Sequence, residues 1–379
     1  MVAKQRWDRA HGATGVPRTE TDPTIRPRKA PVPREPSQQA DLFDALRFFW
    51  ALQPSAERAT TSGLGGHFEG YLRSGPCGQT GRRFAWSGRA RSDGGMPNAS
   101  RPVPTAAPIP AFLYGTAWKE ERTEALTRLA LQAGFRGIDT ANQRKHYFEA
   151  GVGAALKAAL QSAEVSRASL FLQSKFTFLA GQDERLPYER SAPVERQVTQ
   201  SFESSLSHLG TDYLDSYVLH GPSSRSGLRA ADWQAWRAME ALAQAGKVRF
   251  LGISNVSLEQ LEALYAEAAI RPRFVQNRCY AKTGWDRAVR ALCRAQGSVY
   301  QGFSLLTANR AELTSSVAQG IARRTGRPIA QVVFRFCQLL GILPLTGTTQ
   351  LEHMRLDLSA AELELSPADL AALENVSAA

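Results

Sequence analysis

The chain has 379 residues and a formal charge of +11, from 46 Lys+Arg against 35 Asp+Glu. A hydrophobic content of 43% excludes a wholly disordered protein, and no run approaches the ~18 apolar residues of a membrane-spanning helix. Cys77, Cys279, Cys293 and Cys337 are too few and too scattered for a disulfide framework, and none forms a CxxC pair, so no metal site is expected.

Charge divides the chain. Residues 1–100 hold 15 Lys+Arg and 9 Asp+Glu, while the rest hold 31 and 26. Stretches such as Pro27-Arg28-Lys29-Ala30-Pro31-Val32-Pro33-Arg34 follow neither a helical nor a strand period. The apolar patch 41–52 suits a short helix but is too little to bury a core. Residues 1–105 therefore read as an irregular, disordered basic extension rich in Pro and Arg. A nucleic-acid-binding arm is disfavoured because its arginines are scattered and diluted by nine acids. A transit peptide would be nearly free of acid. An inert extension and a misplaced start remain, and the leading expectation is that the working protein starts at Met96.

Residues 106–379 read as a folded domain. Short β-rich runs are predicted over 112–115, 135–139, 170–175, 213–220, 248–254, 274–277, 299–304 and 342–346. Amphipathic helical stretches lie between them. The stretch 121–133 places Ala125, Leu126, Leu129 and Leu131 on one side. Those over 194–209 and 233–245 end at Gly210 and Gly246, helix-stop positions. Ser257, with Gln260 three residues later, is an N-cap candidate. A last helix fits after Ser366-Pro367. Strands alternating with helices imply a parallel sheet with right-handed crossovers, and eight such units in about 250 residues imply an α/β (β/α)8 TIM barrel. An open doubly wound sheet would offer a Gly-rich GxGxxG turn after its first strand, whereas Gly115-Thr116-Ala117-Trp118 stands there.

Barrel chemistry sits at the C-terminal ends of strands. Asp139 closes the second run, Lys175 the third, His220 the fourth, Ser254-Asn255 the fifth and Gln276-Asn277 the sixth. Each alone has an ordinary reading as a cap, a solvated end or a packed residue. Their succession at one end of successive strands points to a site. The chemistry they suggest is proton donation to a carbonyl that receives hydride. An Asp carboxylate holds a Lys ammonium, whose charge lowers the pKa of a neighbouring Tyr, and His orients the substrate oxygen. Tyr147, eight residues beyond Asp139, is the candidate tyrosine, with His146 beside it as a competitor.

These motifs resemble the aldo-keto reductase superfamily. The resemblance runs from about residue 108 to the end. It rests on Gly137-Ile138-Asp139-Thr140-Ala141, Gln173-Ser174-Lys175-Phe176, Asp212 to His220, Gly252-Ile253-Ser254-Asn255 and Val275-Gln276-Asn277. It implies a nicotinamide-dependent barrel in which Asp139, Tyr147, Lys175 and His220 are the catalytic tetrad. It further implies that Ser254, Asn255 and Gln276 hold the nicotinamide carboxamide. Three features depart from the family pattern. The family's tyrosine usually follows the Asp by five residues, so the loop here is longer. At the seventh strand Phe303 takes the place of the family's stacking tyrosine, and Ser304 and Leu305 would approach the diphosphate through backbone N–H groups. After the eighth strand the family's phosphate-binding Lys is replaced by Leu345. Thr346, Thr348 and the next helix N-terminus remain as donors, and Arg355 is the nearest strong cation. NADPH is the implied cofactor, with NADH left open.

The family's long substrate-shaping C-terminal loop is not expected here, which implies an open pocket lined by Trp118 and Tyr280. The expected activity is NAD(P)H-dependent reduction of a small-molecule carbonyl substrate, an aldehyde or ketone, to an alcohol. The alternative is a catalytically weak regulatory subunit built on the same barrel. A cytoplasmic monomer is expected, with neither nucleic acid nor membrane as partner.

Overall fold

The computed structural model describes residues 108–377. The expectations for residues 1–105 and for a start at Met96 lie outside the described residues.

The eight strands are β1 (Leu113–Gly115), β2 (Gly137–Asp139), β3 (Phe171–Phe176), β4 (Leu214–Leu219), β5 (Val248–Ser254), β6 (Phe274–Arg278), β7 (Val299–Phe303) and β8 (Ile342–Thr346). They pair in chain order, all parallel, and β1 closes on β8 through Leu113↔Leu345 and Tyr114↔Thr346. This is the (β/α)8 barrel expected from the alternating pattern. The helices that follow β1 to β6 are α1 (Thr123–Ala133), α2 (Glu149–Gln161), α3 (Val194–Leu209), α4 (Ala230–Gln244), α5 (Leu258–Glu267) and α6 (Arg287–Ala295). After β7 come α7 (Arg310–Leu313), α8 (Ser316–Thr325) and α9 (Ile329–Leu339), and after β8 come α10 (Leu351–Leu358) and α11 (Pro367–Glu374).

Local signals set the helix ends. The Ser257 hydroxyl accepts from the Gln260 N–H, and Gln260 Oε1 accepts from the Ser257 N–H, so two orphan donors of α5 are satisfied. Gly134 ends α1 at φ 113°, a conformation that L side chains rarely adopt. The buried face of α1 differs from the sequence expectation. Thr123, Leu126, Thr127, Ala130 and Leu131 are buried, Leu129 is half-buried and Ala125 is exposed. The apolar residues alone mark a face rotated from the true one, because two small threonines pack inward. Gly153 on α2 lies so close to α3 that a Cβ there would meet the His208 carbonyl oxygen at 1.7 Å.

Two cores result. Outward side chains of the strands, among them Tyr114, Ile138, Tyr217, Val275 and Tyr300, pack under the helices in the main hydrophobic cluster. Inside the barrel, Leu113, Phe171, Phe274, Leu343 and Leu345 form an apolar floor. Strand alternation then places Asp139, Gln173, Gln276 and Gln301 above this floor, and Lys175 higher still. The interior is therefore apolar at one end and polar at the other. Among the described residues, no helix is long and apolar enough to cross a membrane. Cys279, Cys293 and Cys337 are buried free thiols.

Candidate active site

Asp139, Tyr147, Lys175 and His220 meet at the C-terminal mouth of the barrel. Lys175 Nζ donates to Asp139 Oδ1 at 2.7 Å, to Asp139 Oδ2 at 2.8 Å and to the Thr140 carbonyl at 2.8 Å. Its side chain is fully buried. The ammonium also lies 5.1 Å from the centroid of the Tyr147 ring. That ring meets the His220 imidazole edge-on, with centroids 5.8 Å apart.

The lengthened loop explains how Tyr147 reaches this point. Gln143 O accepts from the N–H groups of both His146 and Tyr147, at 3.1 and 3.0 Å, so the extra residues coil into a turn. Three amide side chains pin the turn. Asn142 Nδ2 donates to Ser201 O at 2.9 Å, Gln143 Nε2 to Gly181 O at 2.5 Å, and Gln182 Nε2 to Asn142 O at 2.9 Å. Of the two adjacent rings, Tyr147 faces His220, whereas His146 stacks on Trp118 with centroids 4.0 Å apart. Trp118 is an exposed rim residue and Tyr280 is half-buried.

The electrostatics correct one expectation. The Tyr147 pKa is not lowered by Lys175. Burial pushes its hydroxyl well above the ordinary range, and the Asp139 charge pushes the same way. The ammonium makes no hydrogen bond to the phenolic oxygen, and burial outweighs its charge. The hydroxyl makes no hydrogen bond to any described residue, so its proton stays in place and uncommitted. Burial, the Lys175 charge and His146 hold the His220 pKa down at about 3, so the imidazole is neutral. Its Nδ1 lies 2.7 Å from Thr177 Oγ1, which leaves Nε2 for another partner. Burial lowers the Lys175 pKa, opposed by Asp139 and by Glu149.

The residues expected to hold a nicotinamide lie on the adjoining strands. Ser254 and Gln276 are register partners across β5 and β6, and Asn255 Nδ2 donates to Ser254 Oγ and to His220 O. Gln276 lies deeper than a surface binding residue, with its Nε2 donating to Asp139 Oδ1 at 3.0 Å and to Gln301 Oε1 at 2.9 Å. Phe303 is half-buried at the end of β7, and Leu305 is buried in the core. Asn255 and Ser304 hold left-handed backbone at φ 51° and 56°, as do Trp118 and Glu120 after β1. Such non-glycine strain persists where the surroundings over-determine it, which is common around binding sites.

At the β8 end Thr346 is buried, and its hydroxyl donates to Asp357 Oδ2 at 2.8 Å. Burial raises the Asp357 pKa to about 7. Thr348 is half-buried and its carbonyl accepts from Tyr114, while Arg355 is exposed on α10. Sequence reasoning missed Lys119. This lysine is 5% exposed, and its Nζ donates to Gly347 O at 2.6 Å. Burial lowers its pKa to about 8. It thus brings a cation from β1 to the strand that lacks one. Arg278 and Thr177 were also passed over. The Arg278 guanidinium lies 5.6 Å from the Phe303 ring centroid.

Fold and site together define a (β/α)8 barrel with a buried Asp–Lys pair, a tyrosine and a histidine gathered at its C-terminal mouth. Residues 113–378 match the model of the aldo/keto reductase family. The chain belongs to this family and is an oxidoreductase. It is 30% identical to the oxidoreductase YtbE of Bacillus subtilis over 264 residues, spanning 69% of this chain and 87% of that protein. It is 29% identical to glyoxal reductase of the same bacterium, over 69% and 87% of the two chains. It is 28% identical to the NAD/NADP-dependent indole-3-acetaldehyde reductase of Schizosaccharomyces pombe, over 69% and 89%. A Bombyx mori aldo-keto reductase solved with NADP shares the fold at a TM-score of 0.60 and 21% identity, over 72% and 93% of the two chains.

Proposed function

We propose that this enzyme reduces the carbonyl group of an aldehyde or ketone with NADPH, NADH being the alternative donor, and that Tyr147 is the general acid. One observation carries this reading. A buried ammonium gripped by both oxygens of Asp139 lies next to a tyrosine whose hydroxyl has no hydrogen-bond partner among the described residues, beside a neutral histidine.

The donor set fits a nicotinamide cofactor. Ser254, Asn255 and Gln276 offer a hydroxyl and two amides suited to a carboxamide, and half-buried Phe303 offers a ring face. Lys119, Thr348 and Arg355 would hold the phosphates. When bound, the cofactor supplies the hydride that adds to the carbonyl carbon.

The remaining work belongs to the chain. The Tyr147 hydroxyl and His220 Nε2 receive the carbonyl oxygen. In the tautomer in which Thr177 donates to Nδ1, Nε2 carries the proton and donates to that oxygen. Tyr147 gives up its proton as negative charge develops on the oxygen, and the Lys175 ammonium stabilises the phenolate left behind. Asp139 keeps the ammonium in place. Solvent then returns a proton to Tyr147. Because the resting phenol is strongly protonated, the site is set for reduction at neutral pH, and the reverse oxidation should need alkaline conditions.

The test is NADPH and NADH oxidation by the full chain over a panel of aldehydes, ketones and dicarbonyls, with Tyr147→Phe in parallel. Loss of a general acid should lower kcat by roughly 10²–10⁴-fold. A variant with wild-type turnover would remove Tyr147 from this role.

A further inference from the structure

Three glutamines lie beneath the acid pair. Gln173 on β3, Gln276 on β6 and Gln301 on β7 are 0%, 3% and 0% exposed. Gln173 Nε2 donates to Asp139 Oδ1 at 2.7 Å and to Gln301 Oε1 at 2.8 Å. Gln276 Nε2 donates to the same two atoms at 3.0 and 2.9 Å. Gln301 Nε2 closes the ring by donating to Gln173 Oε1 at 3.0 Å. An ionised carboxylate only accepts, so both Nε2 groups must face Asp139, and this orients all three amides. With Lys175, Asp139 Oδ1 accepts from three donors. Apolar side chains would fill these interior positions without the desolvation cost of buried amides. The Nε2 groups of all three are engaged with Asp139 or with one another.

Resting on the reading of Asp139, Lys175 and Tyr147 given above, we infer that Gln173 and Gln301 are positioning residues. Through an amide layer shared with Gln276, they fix the Asp139 carboxylate against Lys175 and so keep the ammonium charged beneath Tyr147. Gln276 belongs both to this layer and to the carboxamide-holding set, so the cofactor seat and the acid pair share one scaffold. Four titratable groups face Lys175: Asp139 from β2, Tyr147 from the loop, Glu149 from α2 and His220 from β4. The two acids favour the ammonium, while burial opposes it. A carboxylate free to turn away therefore lets Lys175 lose its proton at lower pH.

Gln301→Met keeps the length of the side chain and removes its hydrogen bonds. The measurement is an NMR pH titration of the cofactor-free full chain with 13Cε-labelled lysine, the Lys175 signal being assigned by its loss in Lys175→Met. The Lys175 midpoint should fall by about one pH unit, a tenfold loss of proton affinity. The alkaline limb of kcat should move down with it. A merely structural role would lower Tm and leave the midpoint in place, and an unchanged midpoint in folded protein overturns the inference. If Gln301→Met does not fold, Gln173→Met removes a direct bond to Asp139 and must show the same shift. The titration needs neither cofactor nor substrate. Its failure therefore leaves the reductase reading standing, and failure of that reading shows separately as wild-type turnover in Tyr147→Phe.

Discussion

The two sides of the barrel mouth handle charge in opposite ways. On the β2–β5 side the cation is matched: Lys175 is buried against both oxygens of Asp139, and the histidine nearby is neutral. On the β8–β1 side the cations are unmatched. Neither Lys119 nor Arg355 has an acid partner among the described residues, and burial pushes the local acid, Asp357, toward its protonated form. A site balanced on one side and positive on the other suits a ligand with a neutral reacting end and an anionic tail. The difference also separates two kinds of binding energy. The first side holds charges in place for chemistry, and the second supplies attraction that is realised only when an anion arrives.

The strongest way to break this contrast is to unbalance the first side. Lys175→Met leaves the Asp139 carboxylate buried without a cation. Removing one partner of a buried pair typically costs about 3–5 kcal/mol. Denaturant unfolding should show a loss of that order, and turnover should be abolished. Adding Asp139→Asn should restore part of the stability while leaving turnover absent, because the charge imbalance is relieved but the tyrosine still lacks its ammonium. Recovery of turnover in the double variant would show that the pair serves folding alone.

The second side predicts a smaller and more selective effect. Lys119→Met should raise the KM for NADPH about tenfold, the scale of one charge-assisted hydrogen bond, and leave the KM for the carbonyl substrate unchanged. The pH dependence has a definite sign. The Lys119 pKa is lowered to about 8, so its charge is lost as pH rises through that value and cofactor affinity should fall. Asp357, raised to about 7, gains charge with rising pH and acts in the same direction. The variant should retain only the Asp357 part of the slope. Arg355→Met adds discrimination: a loss confined to NADPH, with NADH unaffected, assigns Arg355 to the ribose phosphate. Equal loss with both cofactors would place it elsewhere.

The contrast also marks what could be read from the chain. The first side was legible because its residues end strands, and strand order puts successive strand ends side by side. Tyr147 comes beside Lys175 and His220 despite its eight-residue offset, because the loop coils into the turn at Gln143. The direction of its pKa was not legible, because that depends on burial and on the Asp139 charge. The second side was largely hidden. Lys119 meets Gly347 across 228 positions, and nothing local distinguishes it from a solvated lysine. Gln173 and Gln301 bond across 128 positions. Alternation shows that each points inward, but the register between strands decides that they meet. The sequence does not show that Asp357, eleven residues beyond Thr346, folds back to accept a hydrogen bond from its hydroxyl.

The finest test lies on the boundary between the two kinds of residue. Thr177 stands one residue beyond β3, and its hydroxyl meets the chemistry through the 2.7 Å contact with His220 Nδ1. If that contact fixes the tautomer with the proton on Nε2, Thr177→Val should weaken orientation of the carbonyl oxygen without touching the cofactor seat. One neutral hydrogen bond is worth about 1 kcal/mol, so kcat/KM for the carbonyl should fall about fivefold while the KM for NADPH stays constant. Thr177→Ser keeps the hydroxyl and should restore most of the loss. An equal loss in Thr177→Ser would assign the effect to packing of the methyl group. An unchanged kcat/KM in both variants would mean that the neighbouring Lys175 charge orients His220 unaided.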